Sequence, residues 1–430
     1  MKPYPAYKPT GLKWLPEVPQ GWDVLHIREL FSERRVKVSD KDYPPLSVSR
    51  GGIVPQIETV AKSDDGDNRK LVKRGDFVIN SRSDRKSSSG VSQLDGSVSL
   101  INIVLEPREQ LAGAYAHYLL KCHDFAEEFY RNGRGIVGDL WTTRYSEMKS
   151  ISLPIPTLEE QASISAYLDA KTAKFDRLIK LKEREIELLQ EKKQAVISTV
   201  VTRGLDPNVK LVDSGVDWIG KVPRGWKKDK VSRCFNIIGS GTTPESSNTA
   251  YFLGGTIPWV NSGDVYAKGR YFYETEKKVT ELALKKCAAL KFFPRKSIVI
   301  AMYGGSIGNM SIADFEFCCN QACCCLAEAR KDVLLDYVFL VLSCAKEYWL
   351  TLSSGGGQPN ISQEKIRRTW VPLPPLEEQR KIVAYLDAET AKTDRTVAVV
   401  RRQIELLREY RTRLISDAVT GRIDLREAVA

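Results

Sequence analysis

Histidine is scarce, with three in 430 residues (His26, His117 and His123). The chain has no Asn-Pro-Pro-aromatic tetrapeptide of the kind methyltransferases carry and no Gly-x-x-x-x-Gly-Lys-Ser/Thr phosphate loop. These gaps argue against independent catalysis, and no catalytic residue is assigned. The best nuclease-like arrangement is Asp139 with Glu147-x-Lys149, a short pattern that occurs by chance in many chains. No apolar run approaches the roughly 18 residues of a membrane span, and Met1-Lys2-Pro3 begins no signal peptide. The expectation is a soluble, cytoplasmic chain without a membrane partner. The nine cysteines lack metal or disulfide spacing; Cys318-Cys319 and Cys323-Cys324-Cys325 sit in an apolar run. They read as buried free thiols on a strand in a reducing compartment, so no metal site is assigned, with a soft-metal site as the alternative.

What is present is positive charge and repetition. The formal net charge of +11 points to a polyanionic partner, nucleic acid before membrane. From Leu153 to Asp206, and again 218 residues later from Val371 to Asp424, the chain runs through Pro-x-Pro, Leu-Glu-Glu-Gln, Ala-Tyr-Leu-Asp-Ala and Ile-Glu-Leu-Leu without a gap. Self-similarity at a fixed spacing marks one structural unit used twice. Pro154/Pro156 and Pro372/Pro374 force an extended lead-in, and Glu159-Glu160 and Glu377-Glu378 place carboxylates where a helix dipole favours them. No glycine or proline intervenes until Gly204 or Gly421, which predicts a helix of about 60 Å. Apolar residues at Val397, Val400, Ile404, Leu407, Leu414 and Ala418 keep a spacing of three and four that skips Arg411. The first copy holds Ile179, Lys182, Ile186, Leu189, Lys193, Val196 and Val200 in the same slots, so the pattern argues for a coiled coil in which each copy is the other's partner.

An arm recurs as well. Gly11-x-x-Trp14-Leu15-x-x-Val18-Pro19-x-Gly21-Trp22 matches Gly215-x-x-Trp218-Ile219-x-x-Val222-Pro223-x-Gly225-Trp226. The expected organisation is an N-terminal arm (1–21), a first insert (22–150), a helical region (151–206), a linker arm (207–225), a second insert (226–370) and a second helical region (371–430). Runs such as Asp76-Phe77-Val78-Ile79 and Ser297-Ile298-Val299-Ile300-Ala301 mark the inserts as β-rich, with candidate helices at Leu111 to Arg131 and Leu335 to Leu352. The fold class is therefore α+β: two β-rich mixed domains separated by an antiparallel coiled coil of two long helices, with an internal pseudo-twofold repeat. The frames repeat closely, yet beyond a shared tail the inserts do not align. A symmetric scaffold holding two different readers suits recognition of two different half-sites.

The paired Pro-x-Pro-Leu-Glu-Glu-Gln helix starts, the Ala-Tyr-Leu-Asp stretches at 166 to 169 and 384 to 387, the Trp-Ile-Gly-Lys-Val-Pro-x-Gly-Trp arm at 218 to 226 and the Ser240-Gly241-Thr242-Thr243-Pro244 loop resemble the specificity (S) subunit of Type I restriction-modification systems, over essentially the whole chain. The resemblance implies two target-recognition domains that read the halves of an interrupted, asymmetric site in double-stranded DNA, with the helices as spacer. It implies no catalysis by this chain, recruitment of two methylation (M) subunits using S-adenosylmethionine and of restriction (R) subunits using ATP and Mg, and no cofactor on the chain itself. The first insert lacks the Gly-Thr-Thr-Pro loop and the Trp259-Val260-Asn261-Ser262-Gly263-Asp264 stretch of the second.

Within the inserts, Arg82, Arg85 and Lys86 come after an apolar strand in a Ser/Gly-rich loop from which side chains reach phosphates or a guanine edge; an ordinary solvated loop is the alternative. Arg131, Arg134 and Arg144 flank Gly133 and Gly135 on the same terms. In the second insert the candidates are Lys268 and Arg270 beside Tyr271, then Tyr303 before a glycine pair, Gln358 and Asn360 for adenine, and Arg367 for phosphate. Core packing is the alternative for Tyr303 and Trp259. Tyr167 and Tyr385 are candidate contacts for the M subunits, with the coiled coil's own core as the alternative. Two other functions fit less well: a coiled-coil adaptor without DNA specificity, and a stand-alone DNA-cleaving enzyme.

Overall fold

The computed structural model describes residues 2–56, 66–135, 141–265, 269–354 and 359–426. The chain divides into two units, one of Met1–Arg184 with Val400–Ala430 and one of Glu185–Val399. Each long helix begins in one unit and ends in the other, the first running Leu158–Arg203 and the second Leu376–Val419. At 46 and 44 residues both exceed the expected length.

In the first unit the helices pair antiparallel. Phe175 meets Tyr410 edge to face at 5.5 Å, Asp176 faces Arg411 at 3.3 Å, and Glu183 faces Arg408 at 2.9 Å. Val400, Ile404, Leu414 and Ala418 are buried, as the spacing required. Arg411, the polar slot in that seam, is matched by the carboxylate of Asp176. In the second unit Lys193, another polar slot, binds Asp394 at 2.7 Å beside buried Val397. The coiled coil thus accepts cations at core-like positions where the facing helix supplies an anion.

The inserts share a topology that their sequences conceal. In the first unit a four-stranded antiparallel sheet runs in the order Ser89–Val91, Phe77–Asn80, Asn102–Pro107, Phe31–Glu33. In the second the order is Met310–Ala313, Ser297–Ala301, Cys323–Ala329, Phe235–Gly239, with Tyr271–Phe272 added parallel to the Met310–Ala313 strand. A two-stranded ribbon closes each insert, Asp23–His26 on Ser152–Ile155 and Lys227–Lys230 on Trp370–Leu373. The two candidate helices are each broken once: Gly113–Leu119 gives way to His123–Arg131, and Leu335–Ser343 to Lys346–Leu352. At the first break Cys122 turns extended and its sulfur accepts from the amide of Phe125, which restarts the chain as a separately capped helix.

The cysteine run forms two strands, Phe317–Cys319 and Cys323–Ala329, and all five thiols are buried and free. Burial pushes the Cys318 thiol up to about 12 and holds Cys323, Cys324 and Cys325 protonated as well. No group of three or more metal-ligating side chains occurs among the described residues, and no helix there is long and apolar enough to cross a membrane.

Candidate nucleic-acid interface

The repeated motif residues build the frame that presents the inserts. Gln161 is fully buried; its amide oxygen accepts from the backbone of Ala112 at 2.8 Å and its nitrogen donates to Gln110 and Pro156 carbonyls. Gln379 does the same with Leu334, Asp332 and Pro374. Glu160 accepts from the Trp22 indole at 3.1 Å, and Glu378 from that of Trp226 at 3.2 Å. The carboxylates expected to serve the helix dipole therefore also fasten the Trp-rich arms. Each arm also covers the end of a helix. Gly421 and Gly204 both have φ of +75°, and a Cβ on either would lie 3.2 Å from the ring of Trp22 or Trp226.

On each sheet the matching strand (Phe77–Asn80, Ser297–Ala301) runs into a short 3-10 turn, Ser83–Arg85 or Gly304–Ser306. The residue opening that turn bridges the returning chain in both units, Arg82 to Thr142 and Tyr303 to Asn360. Ser87 (φ 65°) and Gly308 (φ 77°) end the two turns alike. Arg82 and Tyr303 thus hold one structural position with unlike chemistry.

In the first unit the turn edges a cleft of about 540 Å³. The Arg82 side chain is 39% exposed, and its Nε lies 3.0 Å from Asp84, whose other oxygen is 3.9 Å from Arg85. Arg50, at the tip of the hairpin Leu46–Ser49/Gly52–Pro55, contributes to the wall, and buried Arg69 donates to the hydroxyl and carbonyl of Ser97. Arg69 carries no sign in the sequence; Arg50 lies in the stretch Val48-Ser49-Arg50-Gly51-Gly52 that sets the first insert apart from the second. Lys86 pairs with Glu127 and lies 6.0 Å over the Tyr130 ring. Arg131 pairs with Glu128. Arg134 is well exposed, 3.9 Å from Glu147, and Arg144 is exposed with its backbone amide capped by Glu147. Glu147 therefore closes a helix start, while Asp139 lies outside the described residues.

In the second unit Tyr303 is 42% exposed, so core packing does not describe it, whereas Trp259 is buried with its indole donating to the Thr242 carbonyl. That bond holds the Ser240–Pro244 loop. Gly241 is required there, since a Cβ would lie 1.8 Å from the Cys319 carbonyl oxygen. Asn360 is exposed beside Tyr303, and Arg367 is half-buried on the helix Gln363–Arg368. Arg270 is committed elsewhere: it binds Asp336 at 3.3 Å and Asp387 on the second long helix. Lys268 and Gln358 lie outside the described residues. The two tyrosines of the repeated motif differ. Tyr167 is 8% exposed within the first unit's main core, whereas Tyr385 is 44% exposed and lines a cavity of about 620 Å³ with Val200, Arg203, Leu205 and Pro207.

Residues 223–406 match the model of the Type I restriction modification DNA specificity domain. The chain is 23% identical over 431 residues to the Type I restriction enzyme MjaVIII specificity subunit of Methanocaldococcus jannaschii, covering 95% of this chain and 94% of that one. Among solved structures it is similar to a chain from work on complex assembly and conformational transition of the type I R-M system, with a TM-score of 0.69 at 17% identity over 94% of this chain and 99% of that one. It is also similar to the HsdS subunit from Thermoanaerobacter tengcongensis, with a TM-score of 0.51 at 19% identity over 94% and 98%. At those identities the two structures speak for the fold.

Proposed function

We propose that this chain, which belongs to the family of Type I restriction-modification specificity subunits, is the sequence-specific DNA-binding subunit that reads an asymmetric, bipartite site in double-stranded DNA and directs methylation and restriction subunits to it. One observation carries the reading. The same sheet order and the same turn recur in both units, but the residue that opens the turn is Arg82 in one and Tyr303 in the other. Two copies of one scaffold with unlike reading chemistry are what two unlike half-sites require. The net charge of +11 supports a phosphate backbone as the partner.

The recognition domains are taken as 22–150 and 226–370 and the helical regions as 151–206 and 371–430. Arg82, Arg85, Lys86, Arg131, Arg134 and Arg144 serve one half-site; Tyr303, Asn360 and Arg367, with Lys268 and Gln358, serve the other. Arg270, held by two carboxylates, serves the frame of its unit. Tyr385 and its cavity offer an M subunit an apolar contact with a polar tip. Chemistry belongs to partners: two M subunits with S-adenosylmethionine, and R subunits with ATP and Mg, all in the cytoplasm.

The test is to express the chain with its M subunit and map methylated adenines across the host genome. One two-part motif with a fixed gap is expected, absent when the chain is omitted. Methylation without a defined motif would leave a protein adaptor, and cleavage of DNA by the chain alone with magnesium would make it an enzyme.

A further inference from the structure

The turn that opens with Arg82 or Tyr303 allows a sharper statement, which rests on the DNA-reading function above. We propose that the first residue of this turn is a base-reading position in each unit, so that Arg82 reads a guanine in one half-site while Tyr303 leaves the other half-site without an equivalent guanine contact. Arg82 Nε lies 3.0 Å from Asp84, an ion pair that holds the guanidinium at the edge of the cleft. Asp84 is the only carboxylate within ion-pair distance of it among the described residues, so its two Nη groups remain for a ligand. A fork of two donors matches guanine, whose O6 and N7 are adjacent acceptors on the major-groove edge. Adenine and cytosine each turn an amino group toward such a fork, and thymine offers one oxygen and a methyl group. Behind the fork, buried Arg69 bonds Ser97 without an ion-pair partner among the described residues, and Arg50 stands on the wall, so the cleft favours an electron-rich edge.

Tyr303 occupies the same position with one hydroxyl, which cannot span two acceptors, and its turn, Tyr303-Gly304-Gly305-Ser306, carries no charge. The asymmetry is thus written at a single structural position. Asp84 acts as a positioning residue, since it touches Arg82 and not the base.

The experiment uses the chain with its M subunit on duplexes of the mapped motif, with guanines replaced one at a time by 7-deazaguanine, which lacks the N7 acceptor. In the half-site that Tyr303→Ala leaves unaffected, one replacement should weaken binding about 5-fold or more, the lower end of the range of a bidentate base contact, because O6 remains. Arg82→Ala, which removes both bonds, should lose a larger factor on the unmodified duplex and bind the modified one no more weakly. Arg82→Lys should keep the salt dependence of binding yet lose sensitivity to 7-deazaguanine, and Asp84→Asn should reduce that sensitivity partway. If Arg82→Ala and Arg82→Lys both leave the 7-deazaguanine penalties unchanged, Arg82 contacts phosphate and the assignment is overturned with the DNA-reading function intact. If the wild-type complex prefers no sequence, both fall together.

Discussion

The hydroxyl of Tyr115, in the helix Gly113–Leu119 of the first insert, donates at 3.0 Å to the carbonyl oxygen of Val419, the last residue of the second long helix. Tyr337, at the matching place in the second insert, donates at 3.0 Å to the carbonyl of Val201, near the end of the first long helix. Both tyrosines are fully buried. The last turn of a helix leaves carbonyls without intrahelical partners, and in each unit a side chain of the insert supplies the donor. The bond therefore joins an insert to the end of a long helix, twice, in the same way.

Removing that hydroxyl should cost alike in both units. Tyr115→Phe and Tyr337→Phe each keep the ring packed and remove the donor to a helix-end carbonyl, which in Tyr115 is also shared with the Pro154 carbonyl at 3.2 Å, a loss of about 1–3 kcal/mol. Denaturant melts of the two single variants and the double variant check this. The losses should be similar and should add, since no partner is shared. A loss confined to one variant would show that the repeat is geometric only.

A second expectation concerns pH. Burial, then the charge of Lys121, lowers the pKa of His117 to about 4, with Asp169 opposing and Arg411 assisting. The folded state therefore keeps this imidazole neutral, whereas the unfolded chain takes up a proton below pH ~6.5. Stability from this group is complete at pH 7 and is lost as pH falls from ~6.5 towards ~4. The ring retains some solvent contact, so the loss should be on the order of 1–2 kcal/mol. The melting temperature of His117→Gln should fall less between pH 7 and pH 5 than that of the wild type. Equal falls would place the acid sensitivity elsewhere.

The frame was legible in the sequence because its residues do the same work twice. Gln161 and Gln379 each serve three backbone groups at a helix start, so any replacement strands buried polar atoms and both copies keep the residue. The common topology of the inserts was hidden because strands need only apolar character. Val78-Ile79 and Val299-Ile300 occupy matching places, but the turns between strands carry unlike residues, as at Ser87 and Gly308. Among the candidates, sequence could not tell a free loop arginine from a committed one. Arg270 lies in such a loop, yet its partners Asp336 and Asp387 are brought to it from remote positions by the fold. Nor could it separate Tyr167 from Tyr385, which sit in one repeated motif and differ only in what covers them.

That difference separates two variants. Tyr167→Ala empties space in the first unit's core and should lower stability by about 3–5 kcal/mol, as large aromatic truncations do. Tyr385→Ala removes an exposed ring and should leave the melt within about 0.5 kcal/mol while weakening attachment of an M subunit. Sedimentation of the S–M complex beside thermal melts checks both. Full M stoichiometry and affinity with Tyr385→Ala would remove the assignment of its cavity to that partner.

The last expectation concerns the gap between half-sites. The two helices are the long continuous elements that carry residues of both units, and Lys193–Asp394 marks their register in the second unit at 2.7 Å. Four residues inserted between Lys192 and Lys193, with four more between Asp394 and Arg395, lengthen both helices together by ~6 Å and rotate the helix beyond each insertion by about 40°. A paired insertion keeps the seam in step, and a coiled coil absorbs four residues by local unwinding. On DNA ~6 Å is a little under two base pairs at about 3.4 Å each, and about 40° is close to the twist of one when about ten make a turn. Distance and rotation ask for nearly the same correction, so the variant should keep both half-site sequences and prefer a gap longer by about one to two base pairs. Methylation mapping decides it. Retention of the original gap would mean that the helices do not set it, and altered bases inside a half-site would mean that the insertion reached the recognition domains themselves.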